Sequence, residues 1–285
     1  MRNNRGVNVT IEDHLRNDST LELEKPQPVS EHSLAQPLVQ LERVEKKYAN
    51  HTIAVQDANL LVREGEFISF VGPSGCGKST ILRMIAGLSE PSGGNLEVMG
   101  GTADSARKSG RLAYVFQDAT LMPWCNVLDN VALPLELKGI SRKQRTEESL
   151  RVLELVGLKD YSKSLPRELS GGMKMRVSIA RSLVAQPDLL LMDEPFGALD
   201  ELTRQTLQQE LLGIWSANPR MTVLFVTHNV FEAVYLSTRI AVMTPRPGRI
   251  VGQIDVHTSA SRQEDFRTSP QFNELASRVN AVLRH

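Results

Sequence analysis

The sequence predicts an α/β protein built on a largely parallel sheet covered by helices. A short apolar run, Phe67 to Val71, ends directly in a glycine-rich turn, as a buried strand does when it feeds a phosphate-binding loop. Further strand-like runs, at residues 189–192, 222–227 and 239–243, follow in alternation with helical segments. Such alternation is the pattern of helices packed on parallel strands. A chain of 285 residues can bury a core of that size.

Residues 1–37 are polar, carry Pro26, Pro28 and Pro37, and have no sustained periodicity, so they read as a flexible tail. The amino terminus lacks the apolar stretch of a secretory signal, and no segment approaches the roughly 20 apolar residues that span a bilayer. Order is expected from Leu38, with strand-like segments at 39–48 and 52–62. The region from about 118 to 172 reads as helical. Ser141 with Gln144 forms a capping box there, and Leu150, Leu153 and Val156 lie about three residues apart on one face. In the extension 256–285, Leu275, Val279 and Leu283 recur at helical spacing beside Phe266 and Phe272. They predict a terminal helix, packed on the core or acting as a sensor of cargo.

Lys and Arg together number 33, and so do Asp and Glu. A nucleic-acid partner, which calls for a basic excess, is therefore not expected. Two cysteines, Cys76 and Cys125, make no disulfide framework. Cys125, beside Trp124, is either a half-exposed small residue or a redox sensor.

Residues Gly72-Pro73-Ser74-Gly75-Cys76-Gly77-Lys78-Ser79, followed by Thr80, fit G-x-x-x-x-G-K-[ST] at every fixed position. Glycines let the backbone curl so that successive N–H groups face phosphate oxygens, and the next helix adds its positive end. Lys78 is expected to reach the outer phosphates and Ser79 to ligate Mg²⁺. Downstream, an apolar strand ends in Asp193 and Glu194. An acid at a strand end beside such a loop can hold Mg²⁺ through water, and a second can deprotonate the attacking water. A GTPase would follow with N-K-x-D, which does not occur.

Leu169-Ser170-Gly171-Gly172-Met173 resembles the LSGGQ motif of ABC ATPases, with Met173 in place of Gln. Gln117, in Val115-Phe116-Gln117-Asp118, is similar to the Q-loop. Gly197-Ala198-Leu199-Asp200 resembles the D-loop, and His228 the switch histidine. Tyr48 stands where an aromatic stacks on adenine. These elements run in the family's order over residues 38–255. The resemblance implies an ABC cassette with a RecA-like core, an antiparallel β subdomain and a helical subdomain.

It also implies a division of labour. ATP binds to Tyr48, the loop from Gly72 to Thr80, and Gln117. Mg²⁺ is held by Ser79, Gln117 and Asp193, while Glu194 is the base and His228 contacts the γ-phosphate. Ser170, Gly171, Gly172 and Asp200 touch the nucleotide of a second copy, in a head-to-tail homodimer. The remaining partners are integral-membrane permease subunits and, indirectly, an extracytoplasmic solute-binding protein, which places the chain at the cytoplasmic face of the cell membrane.

Other ABC proteins fit less well. A DNA-maintenance ATPase needs a long coiled coil between the phosphate loop and Ser170, a ribosome-associated factor needs two cassettes, and a degenerate cassette would have lost Lys78, Glu194 or His228. Segments 121–124, 196–215 and 246–250 resemble importers of nitrate, sulfonate, taurine and bicarbonate, which implies uptake of a small sulfonate or oxyanion; the alternatives are an importer of another organic nutrient or an exporter. Leu121, Met122, Pro123 and Trp124 are either core or a groove for a permease helix.

Overall fold

A fully apolar strand is stable only where both faces of its sheet are covered. Every residue of β3 (Phe67–Val71), β6 (Leu189–Asp193) and β7 (Thr222–Thr227) is buried. The computed structural model describes residues 37–197, 199–257 and 264–284. The expected tail over 1–37 lies, apart from Pro37, outside the described residues, as does Ala198. Three further strands, β5 (Leu112–Val115), β8 (Arg239–Met243) and β9 (Ile250–Asp255), complete a six-stranded sheet in the order β5-β6-β7-β3-β8-β9. All neighbours pair in parallel except β8 with β9.

Side chains alternate across this sheet with the period of two that a strand imposes. Phe67, Val71, Leu190, Met192, Val223 and Phe225 join one apolar cluster, whereas Ile68, Phe70, Leu189, Leu191, Leu224 and Val226 join the other. The first cluster is completed by α3 (Val127–Leu137), α4 (Arg142–Leu155), α5 (Gly171–Leu183), α6 (Glu201–Ser216), α7 (Val230–Leu236) and α8 (Pro270–Leu283). The second is completed by α1 (Lys78–Ile85), α2 (Ala103–Lys108) and an antiparallel sheet. That sheet runs in the order β2-β1-β4, from β1 (Val39–Lys47), β2 (Ile53–Val62) and β4 (Gly93–Val98). The mixed architecture is the one expected: a largely parallel core with a separate antiparallel sheet and a helical region.

Local departures have physical causes. In α4 the buried residues are Ser149, Val152 and Leu153, with Val156 just beyond, while Leu150 is only half-buried. Leu153 and Val156 of the expected line are thus buried, while Ser149 and Val152 take the place of Leu150 on the buried face. Ser141 caps this helix, its Oγ accepting from the Gln144 N–H at 3.4 Å. Strand β4 escapes sequence patterning because it opens on Gly93 and Gly94 and offers only Leu96 and Val98 as apolar residues. The terminal helix α8 packs on α7, β8 and β9, burying Phe272, Leu275, Ala276 and Val279.

Candidate active site

Strands β6, β7 and β3 lie side by side and in register, with Asp193 opposite Val226 and Val71 opposite Thr227. Their carboxyl ends therefore release three loops at one edge of the sheet: 72–77, the turn after Asp193, and His228–Asn229. Crevices at such strand ends are where open α/β sheets bind ligands.

The phosphate-loop residues wrap the start of α1. Gly77 sits at φ 107° as its N-cap, without a side-chain cap, so the first N–H groups of α1 receive no side-chain acceptor. A Cβ on Gly77 would approach the Ala54 carbonyl oxygen to 2.6 Å, so only glycine fits there. Lys78 is 4% exposed, and its Nζ donates to the Gly72 and Pro73 carbonyls at 2.8 and 3.0 Å. Ser79 Oγ donates to Asp193 Oδ1 at 2.7 Å. Tyr48 Oη and Thr80 Oγ1 stand 3.3 Å apart.

Glu194 follows β6 at φ 47°, in the left-handed region that non-glycine residues enter at a cost. Its N–H continues the ladder to the Val226 carbonyl at 3.0 Å, and its Oε2 is 3.2 Å from His228 Nδ1. The loops after β6 and β7 thus hold this pair together, although 34 residues separate them in sequence.

A cavity of about 470 Å³ joins these parts. Tyr48, Ser74, Gly75, Gly77, Lys78, Ser79, Thr80, Gln117 and Glu194 line it. Gly72, Pro73 and Asp193 reach it through Lys78 and Ser79, while Cys76 is buried behind the loop, where burial pushes its thiol pKa up. Ser170, Gly171, Gly172 and Asp200 do not line it. Ser170 caps α5, accepting at Oγ from the Met173 N–H at 3.2 Å. A Cβ on Gly171 would meet nothing within 4 Å, whereas one on Gly172 would come 3.2 Å from Leu199. Asp200 caps α6, and the N–H of Thr203 holds its carboxyl below the usual range.

Several site residues were not legible from the motifs. Arg246 lines the cavity, donating from Nε and Nη2 to the Gly75 carbonyl at 3.2 and 3.0 Å. Two residues on, Gly248 presses against the same loop, since a Cβ there would fall 1.8 Å from the Cys76 oxygen. The segment 246–250 is therefore a brace on the phosphate loop. Asn50, Thr52 and Ala54 also line the cavity, and they carry no motif. Tyr114 on β5 donates to Asp193 Oδ2 at 3.1 Å, and burial followed by the Asp193 charge raises its pKa.

Among the described residues no group of three His, Cys, Asp or Glu side chains could hold a metal ion. What stands beside the anion cradle is the Ser79 hydroxyl bonded to the Asp193 carboxylate. That donor set fits Mg²⁺, which is usually bound through one or two carboxylates plus substrate phosphates.

Trp124 is 76% exposed and Pro123 is exposed, which overturns the core alternative for that segment at these two residues; Leu121 and Met122 are half-buried. The loop is nonetheless shaped from within. Buried Asn130 accepts from the Met122 N–H and donates to the carbonyls of Met122, Cys125 and Asn126. Cys76 and Cys125 are both free.

The family model described as ABC transporter matches residues 55–197. A protein of Brucella abortus (strain 2308) is 45% identical over 87% of this chain and 94% of its own length. The taurine import ATP-binding protein TauB of Rhizobium johnstonii is 41% identical, over 83% and 91%. The nitrate import ATP-binding protein NrtD of Synechocystis is 40% identical, over 87% and 94%. Among solved structures, a dimeric post-hydrolysis state of the ATP-binding cassette MJ0796, bound to ADP and Pi, superposes with a TM-score of 0.70. It is 32% identical and covers 77% of this chain and 99% of that one.

Proposed function

Because this chain belongs to the ABC transporter family, we propose that it energises import of a small sulfonate or an oxyanion such as nitrate. It is an ATPase whose hydrolysis is coupled to transport. In this reading two copies work beneath a permease at the cytoplasmic face of the membrane, with an external solute-binding protein delivering the cargo. The observation that carries the reading is the convergence on one cavity of Lys78, the Ser79–Asp193 pair and the Glu194–His228 pair. The taurine and nitrate import relatives supply the cargo class.

ATP lies along the phosphate loop, its phosphates meeting the N–H groups at the start of α1 and the ammonium of Lys78. Tyr48, half-exposed at the cavity edge, offers its ring to the adenine. Glu194 takes a proton from a water, whose oxygen attacks the γ-phosphorus as the bond to the β–γ bridging oxygen breaks, leaving ADP and phosphate. His228 holds Glu194 in place and reaches the γ-phosphate. Mg²⁺, bound by Ser79, Asp193 and Gln117, would neutralise charge on the phosphates. Ser170, Gly171, Gly172 and Asp200, which do not line their own cavity, serve the nucleotide of a second copy. Gly171 leaves open space for that approach.

Deleting the gene tests the cargo class. Growth on taurine, an alkanesulfonate or nitrate as sole sulfur or nitrogen source is expected to fail on at least one. Normal growth on all, in a strain without a redundant system, overturns the class and leaves another organic nutrient as cargo.

Coupling to the permease is assigned to the rigid loop held by Asn130, with Trp124 as the anchor, since large aromatics are enriched at such contacts. Trp124→Ala is expected to weaken permease co-purification and transport while the isolated chain keeps its ATPase rate and melting temperature. Unimpaired transport would remove Trp124 from the coupling surface.

A further inference from the structure

The carboxyl-terminal segment is tied to the loop carrying His228 by a chain of hydrogen bonds. Arg267, in the turn Glu264–Thr268, donates from Nη2 to Gln208 Oε1 at 2.5 Å. Its guanidinium carbon lies 3.5 Å from the centroid of the Tyr235 ring. Gln208, buried on α6, donates from Nε2 to Glu232 Oε1 at 2.8 Å. Glu232, 6% exposed on α7, accepts at Oε2 from Thr227 Oγ1. Thr227 Oγ1 accepts in turn from the Asn229 N–H at 3.0 Å. Thr227 and Asn229 are the neighbours of His228 on either side.

This chain has a polarity. An amide side chain has one accepting and one donating end, and a guanidinium can only donate. Arg267 therefore fixes which way Gln208 points: oxygen toward the arginine, NH₂ toward the carboxylate. A flipped Gln208 would set its oxygen against Glu232, acceptor against acceptor. Burial raises the Glu232 pKa, while the bonds from Thr227 and Gln208 oppose that shift. Losing a donor there leaves a buried carboxylate short of partners, the costly case for any buried polar group.

The segment does not need these polar contacts to stay docked. Phe272 stacks on Phe231 at 5.9 Å and meets Phe266 edge-on at 5.3 Å. Leu275 and Val279 are buried with them. The apolar anchor holds the helix, and the polar chain runs to the catalytic edge. There a cavity of about 40 Å³ is lined by Glu194, His228, Arg204 and Glu232, among others.

We propose that Arg267 is a positioning residue for ATP hydrolysis, acting through Gln208, Glu232 and Thr227 on the backbone that carries His228. The carboxyl-terminal segment thereby sets the geometry of the Glu194–His228 pair. This inference rests on the hydrolytic roles assigned above to those two residues.

Arg267→Met keeps an apolar stem over Tyr235 and removes the donor. Its kcat for MgATP is expected to fall about 10- to 100-fold, the scale of a misplaced reacting group, with KM and ATP affinity unchanged and the melting temperature lowered, because buried Gln208 loses its donor. Arg267→Lys, which keeps a cationic donor at this position, is expected to recover part of the rate. On a Glu232→Gln background Arg267→Met should add no further loss, because the two act in one chain. A wild-type kcat in Arg267→Met overturns the proposal, and so does a loss shared by ATP affinity and not recovered by lysine. Should Arg267→Met not fold, Arg267→Gln decides: an intermediate kcat supports the chain and a wild-type kcat overturns it. His228→Ala separates the two readings. If it hydrolyses ATP normally, the site assignment fails and this inference with it; if it is inactive while Arg267→Met is not, only the coupling fails.

Discussion

Replacing Glu194 by Gln is expected to leave ATP bound and turnover lowered by roughly 10²–10⁴-fold, the contribution of a positioned general base. Glutamine keeps the size of the side chain and can still bond His228 Nδ1, which lies 3.2 Å from the carboxylate, but it takes no proton at neutral pH. The left-handed backbone at residue 194 is unaffected by the exchange, so the loop should keep its path. Single-turnover hydrolysis and nucleotide binding, measured on the same preparation, separate the two steps. Retained turnover would move the base elsewhere. Because the nucleotide is trapped, the same variant is expected to sediment at twice its mass when ATP is added, if the second copy supplies Ser170 and Gly172. No change in mass would count against the paired arrangement, and co-purification would then show whether a different cassette takes that place.

Lys78→Ala is expected to act one step earlier, weakening nucleotide binding by roughly 10- to 100-fold, the range for a lost hydrogen bond to a charged group. The removed ammonium also holds the Gly72 and Pro73 carbonyls, at 2.8 and 3.0 Å, so part of the loss comes from a loosened loop. Titration with a fluorescent nucleotide gives the affinity. A parallel melting curve without nucleotide isolates the loop's share. Unchanged affinity would remove Lys78 from the phosphate site.

Much of the site was legible because it is written in contiguous words. A phosphate loop must be continuous: its N–H groups have to converge on one anion, so its glycines fall at fixed spacing. An acid pair that closes an apolar strand, Asp193–Glu194, is readable for the same reason. Elements whose signal is short or mixed were not. Strand β4 offers only Leu96 and Val98 as apolar side chains, β5 is only four residues long, and β9 interrupts its apolar residues with Gly252 and Gln253. In α4 Ser149 and Val152 take the place of Leu150 on the buried face, because a single line of three apolar positions leaves the rotation of a helix loosely determined.

The amino-acid sequence by itself determined the fold class, the phosphate loop, the carboxylate pair and the family, each of which depends on residues close together along the chain. It also supplied Trp124 as a candidate anchor but could not choose between core and surface. That choice is made by the fold, which leaves Trp124 76% exposed on a loop bonded to the buried Asn130. Tertiary structure alone decided which distant residues share the site: Arg246 bracing Gly75, Tyr114 bonded to Asp193, and the run from Arg267 through Gln208 and Glu232 to Thr227. The physical reason is the crossover connection of a parallel sheet. Strands adjacent in space, such as β3 and β7, are separated by a helix or more in sequence, so contacts at their ends join residues that no local pattern can relate.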